Sequence, residues 1–346
     1  MKINNAVVDR TMIESLGSEV GGILSNDTIY NLVDMIDDIT IDMANHNKFV
    51  NLNNVDLKLC GDFALHTNII NSNLDFYLAI RSGQLELNTL KELQNKPKRF
   101  LKRLKEAWQT IRSRKKRRFF VRKKKRKQAQ ILTEEQLQQK KEKPYLLSDL
   151  QEEYYNYIVP NFTELSVIYN KFDRITILSK EELGYTVNII PVFVHDDELR
   201  YWDHSKNQLK SIYLNDAIRL MEEKNDEINK LNYSQNTENS KISKINTEDI
   251  FYKVVRIYKS LTVNAWQTTN LSFIDSLLYN CPNELFVGNV YDAFIRSFNY
   301  LKNANIADFY SIYNLNNNMY KQENLMPIEI KNLINDISSM ITNEVA

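Results

Sequence analysis

Glycine and proline are scarce in this 346-residue chain, at seven and six. So few flexible or chain-breaking residues argue against a glycine-rich dinucleotide-binding fold and for long uninterrupted helices. Only two cysteines occur, Cys60 and Cys281, far apart and in apolar contexts, and neither has a C-x-x-C partner. That excludes a disulfide framework and a cysteine-based zinc site, and a reducing cytoplasm is the expected setting. No apolar run approaches the ~20 residues of a membrane-spanning helix. The opening MKINNAVVDRTMIESLG also lacks the apolar core of a secretory signal.

What the chain does have is 43% hydrophobic residues, enough for a sizeable core, and unevenly placed charge. The net charge of +1 conceals the unevenness. Residues 96–127 hold 18 of the 45 Lys and Arg against Glu106 alone, so the remainder carries 27 basic and 43 acidic residues, a balance of −16.

Apolar residues recur at three-to-four spacing through residues 8–47, which predicts helices broken at Ser25-Asn26-Asp27. A turn at 51–54 leads into a strand over 55–59. The next stretch, GDFALHTNIINSNLDFYLAI, carries the strongest local pattern. Gly61 permits a tight turn, residues 63–69 are expected as a short helix, and 74–80 read as a strand. Alternation puts Asn73, Asp75 and Tyr77 on one face, with Leu74, Phe76 and Leu78 on the other. Later, 165–169 and 175–178 read as strands, 182–185 as a turn, and 187–193 as a strand through Pro191. His195-Asp196-Asp197-Glu198, with Asp203 and His204 nearby, is expected as a solvated acidic loop rather than a metal site. From Leu209 the chain reads as helical: 212–231, then a polar loop over 233–245, then 251–261, the segment 272–286 with its proline-terminated exit, and 329–341.

These motifs resemble the nucleotidyltransferase superfamily, in the branch of oligoadenylate synthetases and bacterial cyclic-oligonucleotide synthases. Gly61-Asp62 stands for the family's Gly-Ser turn, His66-Thr67 for Gly-Thr, Ser72-Asn73-Leu74-Asp75 for Ser-Asp-x-Asp, and Val187-Asn188-Ile189-Ile190-Pro191 for the third acidic strand. FYKVVRIYKSL resembles the spine helix, with Lys259 in the place of the lysine that reaches the triphosphate. The resemblance implies an α+β fold: a mixed sheet with flanking helices (residues 1–208, with a basic helical insertion over about 95–145), then an all-helical C-terminal lobe (209–346). It implies nucleotide-binding positions at Gly61, Asp62, Thr67, Ser72 and Lys259, and a catalytic, metal-ligating remnant at Asp75.

The departures carry as much information as the matches. Such sites hold two magnesium ions about 4 Å apart by shared carboxylates. Asn73 and Asn188 replace two of the three acids, and each missing charge forfeits on the order of 4 kcal/mol of attraction at an effective dielectric near 20. Asp62 adds negative charge beside the triphosphate position. The expectation is an inactive relative that requires no cofactor; the alternative is an active enzyme using Mg²⁺ or Mn²⁺ and a nucleoside triphosphate.

Function is then expected in the insertion, where Arg114, Lys115, Lys116, Arg117, Arg118, Arg122, Lys123, Lys124, Lys125, Arg126 and Lys127 surround Phe119 and Phe120. Cations at this density release counterions from phosphates, and engaging 6–10 phosphates weakens binding by about 10³ to 10⁵ between 50 and 200 mM salt. The two phenylalanines suit stacking on unpaired bases. RNA or DNA is the expected partner; an anionic membrane surface or ribosome, or a merely solvated face, are the alternatives.

Overall fold

A computed structural model describes residues 8–18, 55–69, 72, 74–81, 85–89, 146–161, 166–170, 174–178, 186–195, 198–203, 208–235, 249–266, 271–323 and 325–341, with single positions 34, 38, 41 and 91. Asn73, the basic segment 114–127, the turn at 182–185 and most of the helices expected before residue 50 lie outside the described residues. The chain forms two compact units, residues 1–81 with 155–346, and residues 82–154. In the smaller unit, Leu146, Leu147, Leu150 and Tyr154 are buried, and the Leu147 amide donates to Thr89 Oγ1 (2.8 Å).

The larger unit is built on a mixed sheet. Its strands are β1 (Val55–Cys60), β2 (Leu74–Ile80), β3 (Ser166–Asn170), β4 (Arg174–Leu178), β5 (Thr186–His195), β6 (Glu198–Asp203) and β7 (Gln208–Ile212). The order is β1-β2-β5-β4-β3, with β6 on β5 and β7 on β6. β2 and β5 run parallel and the other pairs antiparallel. β4 takes residues 186–189 of β5 and β6 takes 193–195. Pro191 falls in the gap between those two pairings, where a missing N–H breaks the least of the ladder.

Helices bounded within the described residues are α1 (Arg10–Ser18), α2 (Gly61–Ala64), α3 (Leu147–Asn161), α4 (Leu214–Gln235), α5 (Ile250–Trp266), α6 (Ser272–Tyr279), α7 (Val290–Asn303), α8 (Met319–Glu323) and α9 (Pro327–Met340). α5 is the central one and packs against α1, α4, α6, α7 and α9. Its Phe251, Val254, Val255, Tyr258 and Leu261 are wholly buried, so apolar side chains line most of its circumference, as expected of a helix enclosed by others. The fold is thus α+β: a mixed sheet with flanking helices, followed by a helical C-terminal region.

Three expectations need correction. The helix expected over 63–69 is the single turn α2, because His66 takes φ +58 and that left-handed residue ends the helix. Of the expected acidic loop, His195 ends β5 and Glu198 and Asp203 lie in β6, while Asp196, Asp197 and His204 lie outside the described residues; Glu198 pairs with Arg200 (2.9 Å) and accepts from Ser211 on β7. Helix also does not begin at Leu209: β7 precedes it, and β8 (Tyr310–Ser311) and β9 (Asn314–Asn318) form a small hairpin inside the helical region.

Candidate active site

β1 delivers the chain to Gly61, opposite the start of β2, where Cys60 pairs with Asp75. Gly61 has φ +65, and a Cβ there would lie 2.9 Å from Asp75 Oδ2. The left-handed backbone favours glycine, and the close approach of a carboxylate leaves no room for a Cβ. On the other edge of β2 the parallel register sets Asn188 directly beside Asp75. The Asn188 amide donates to Asp75 Oδ1 at 2.7 Å, so one oxygen of that carboxylate is engaged by an amide N–H rather than shared with a second acid.

Asp62 sits in the one turn of α2, and both of its oxygens are used. Ser72 Oγ accepts from the Ile69 amide (2.9 Å) and donates to Asp62 Oδ2 (2.8 Å). Lys259, reaching from α5, donates to Asp62 Oδ1 (2.7 Å), Thr67 Oγ1 (2.6 Å) and Asp275 Oδ2 (2.9 Å). Those three acceptors match the three N–H groups of an ammonium. Lys259 and Asp275 are both fully buried. Burial disfavours the charged lysine, but Asp275 and Asp62 outweigh it, and its pKa is raised above the ordinary value. Burial lifts Asp275 to about 6, with Asp62 adding to the rise; Lys259 and a hydrogen bond with Thr67 pull the other way.

More acid and phenol surround this cage. Burial, then Asp275 and Glu323, push the Tyr313 phenol well above its ordinary value, and Tyr77 is raised by burial first, with Asp75 and Glu323 contributing. Burial raises Glu323 to about 7, while its hydrogen bond from Ser272 (2.7 Å) opposes the rise. The neighbourhood is rich in carboxylates, and its buried lysine is already neutralised.

Gly61, Asp62, Thr67, Ser72, Asp75, Asn188 and Lys259 therefore converge on one place, while Asn73 and the basic segment lie outside the described residues. Asp275 was missed as a site residue. Its signal was an acid in the otherwise apolar run SFIDSLLY, since a carboxylate is almost never fully buried unless it is paired. The described residues of the site do not fit a pair of magnesium ions. Asp75 shares an oxygen with an amide, Asp62 is committed to Lys259 and Ser72, and among the described residues no group of three or more His, Cys, Asp or Glu is arranged to hold a metal ion.

No family model and no curated protein matches the chain. Solved structures do. The CdnE c-UMP-AMP synthase of Rhodothermus marinus, determined with Apcpp and Upnpp, superposes with a TM-score of 0.53 at 12% identity, over 96% of each chain. The CdnE cyclic dinucleotide synthase of Elizabethkingia meningoseptica, with GTP and Apcpp, gives 0.53 at 13% identity, over 96% of this chain and 97% of that one. The Escherichia coli MS115-1 CdnC in complex with HORMA-deltaN gives 0.52 at 12% identity, over 96% and 89%. These likenesses show a nucleotidyltransferase-like fold. Among the described residues, no helix is long and apolar enough to cross a membrane.

Proposed function

We propose that this chain is a nucleotidyltransferase-fold protein that no longer transfers nucleotides and binds RNA, or a related polyanion, through the basic segment 114–127. One observation carries the first half: Lys259, in the place of the triphosphate-reaching lysine, is fully buried and held by Asp62, Asp275 and Thr67. The Asp62 carboxylate takes up the charge that an anionic ligand would otherwise meet. The Asp75–Asn188 pair and the surrounding acids support the same reading, because an amide cannot neutralise a metal ion and the remaining carboxylates repel a triphosphate. The density of Lys and Arg around Phe119 and Phe120 supports the second half.

Incubation of the purified chain with labelled nucleoside triphosphates, Mg²⁺ or Mn²⁺ and RNA tests the first half. No product is expected; robust product abolished by Asp75→Ala would overturn it. Retention of labelled RNA, falling steeply with salt and lost when Lys123 to Lys127 are neutralised, tests the second half. Vesicles carrying anionic lipid serve as the competing arm, and binding to vesicles but not RNA would count against the RNA assignment. A second reading, an active metal-dependent enzyme acting on RNA or a small acceptor, is favoured by the near-full-length overlap with synthases solved with nucleotides. It requires metal-dependent thermal stabilisation by a triphosphate, of size RT ln(1 + [L]/Kd).

A further inference from the structure

α8 is a short helix, little more than one turn, packed against α6 and the β8–β9 hairpin. A helix of that length has little stability of its own and depends on what ties it down. Lys210 of β7 donates to the Gln322 carbonyl (2.7 Å), and Gln322 Nε2 donates to the Ser211 carbonyl (3.0 Å). Glu323 accepts from Ser272 Oγ (2.7 Å), on the first residue of α6, and from Ser311 Oγ of β8 at a long 3.5 Å. The amides of Met319 and Tyr320 donate to the Phe309 carbonyl and to Asn318 Oδ1, both at 2.9 Å.

Two groups on this turn are poorly placed. The Tyr320 hydroxyl is buried and has no hydrogen-bond partner among the described residues, a cost that water would remove. The Glu323 carboxyl sits among acid and phenol: Asp275 faces it from α6, Tyr77 from β2 and Tyr313 from the turn between β8 and β9. Lys210, the cation of this group, already serves the Gln322 carbonyl. Burial first, and then Asp275, lift Glu323 from 4.5 to about 7, against the pull of Ser272, Lys210 and Ser311.

We infer that α8 is a proton-gated clasp: a protonated Glu323 keeps the turn seated on α6, and ionisation of that carboxyl beside Asp275 releases it, returning Glu323 and the Tyr320 hydroxyl to water. The step is the transfer of one proton to solvent and needs no other reactant. Release uncovers the start of α6, the helix from which Asp275 reaches Lys259. It is independent of whether the chain transfers nucleotides. The seated turn binds the proton near pH 7 and the released one near 4.5, so the seated state carries more protons across that window. Raising the pH from 5 to 7 therefore favours release by roughly ten- to fortyfold, and little is added above 7.

Hydrogen exchange of the full chain from pH 5 to 8 is the test, read as protection factors so that the intrinsic pH dependence of exchange cancels. The Met319 and Tyr320 amides should lose about ten- to fortyfold in protection between pH 5 and 7, and at pH 7 should lie below the amides of α5. Glu323→Gln should remove that pH dependence. Tyr320→Phe deletes the orphan hydroxyl and should raise protection at every pH while keeping the native slope. Infrared difference spectra, native against Glu323→Gln at pH 5.5, should show the band of a protonated carboxyl. The inference is overturned if native protection at Met319 and Tyr320 is equal at pH 5 and 7, or if Glu323→Gln retains the native slope. It is equally overturned if the carboxyl band is absent, or if these amides match α5 at pH 7, since the turn then opens only with the whole fold.

Discussion

Replacing Lys259 by methionine isolates the charge cage, because the apolar stem stays and only the ammonium is lost. Lys259 lies 2.7 Å from Asp62 and 2.8 Å from Asp275, with the lysine and Asp275 fully buried. The gross attraction of one such pair is about 6 kcal/mol at an effective dielectric near 20. Most of that is offset by desolvation, and removing one partner of a buried pair costs about 3–5 kcal/mol, chiefly because the other charge is left buried and unpaired. A whole domain is stable by only about 5–15 kcal/mol. Lys259→Met should therefore lower the urea midpoint sharply, with an unchanged m-value. The loss should also depend on pH. Asp275 already titrates near 6 against the pull of Lys259, so without the lysine its folded pKa rises further. The neutral acid is tolerated below that value, and the penalty grows as pH rises through it. The variant should be less impaired at pH 5 than at pH 8, and adding Asp275→Asn should restore part of the loss at pH 8. A loss below about 1 kcal/mol, or one that is equal at both pH values, would refute the cage as the anchor of this site.

The same structure makes three more commitments. Glu323, lifted by burial from 4.5 to about 7, contributes stability that is present below about 4.5 and lost as pH rises through 7, on the order of 3 kcal/mol. Glu323→Gln should flatten that decline in thermal melts from pH 4.5 to 8, and an unchanged slope would count against it. Gly61→Ala forces a Cβ toward Asp75 at φ +65 and should cost about 2 kcal/mol or more in urea unfolding; a neutral result would mean that the turn is not held as described. Asp62→Ser removes one counter-charge from Lys259, so ATP should raise the melting temperature of the variant and leave the native chain unaffected. Equal responses would sink the idea that Asp62 stands in for a ligand's charge.

Much of the site's frame was legible because it rests on local signals. The alternation of LDFYLAI separates Asp75 and Tyr77 from Phe76 and Leu78, and the latter two are buried to within 2%. Gly61 could be read as a turn because glycine takes a left-handed backbone without the cost of a Cβ. β6 and β7 could not: ELRYWD and QLKSI are short and half polar, and they are strands because β5 offers an edge, which is a non-local fact. α2 ended early for a reason equally invisible in a periodicity, the left-handed His66.

The lysine shows the deeper limit. A buried Lys259 looks the same in the sequence whether its ammonium meets a phosphate or a carboxylate, so residue type alone leaves its role open. What decides the role is one side chain 197 positions earlier, Asp62, and one 16 positions later, Asp275. Each is readable by itself only as an anomaly, an acid where the family pattern has a hydroxyl and an acid inside an apolar helix. Together they explain each other: a second buried carboxylate is tolerable only beside a cation, and a fully buried lysine only beside anions. Under the proposed reading, Asp62 in the place of the family's turn serine gives Lys259 an internal partner where a ligand's charge would otherwise stand, and Asp275 completes the ion pair from the other side.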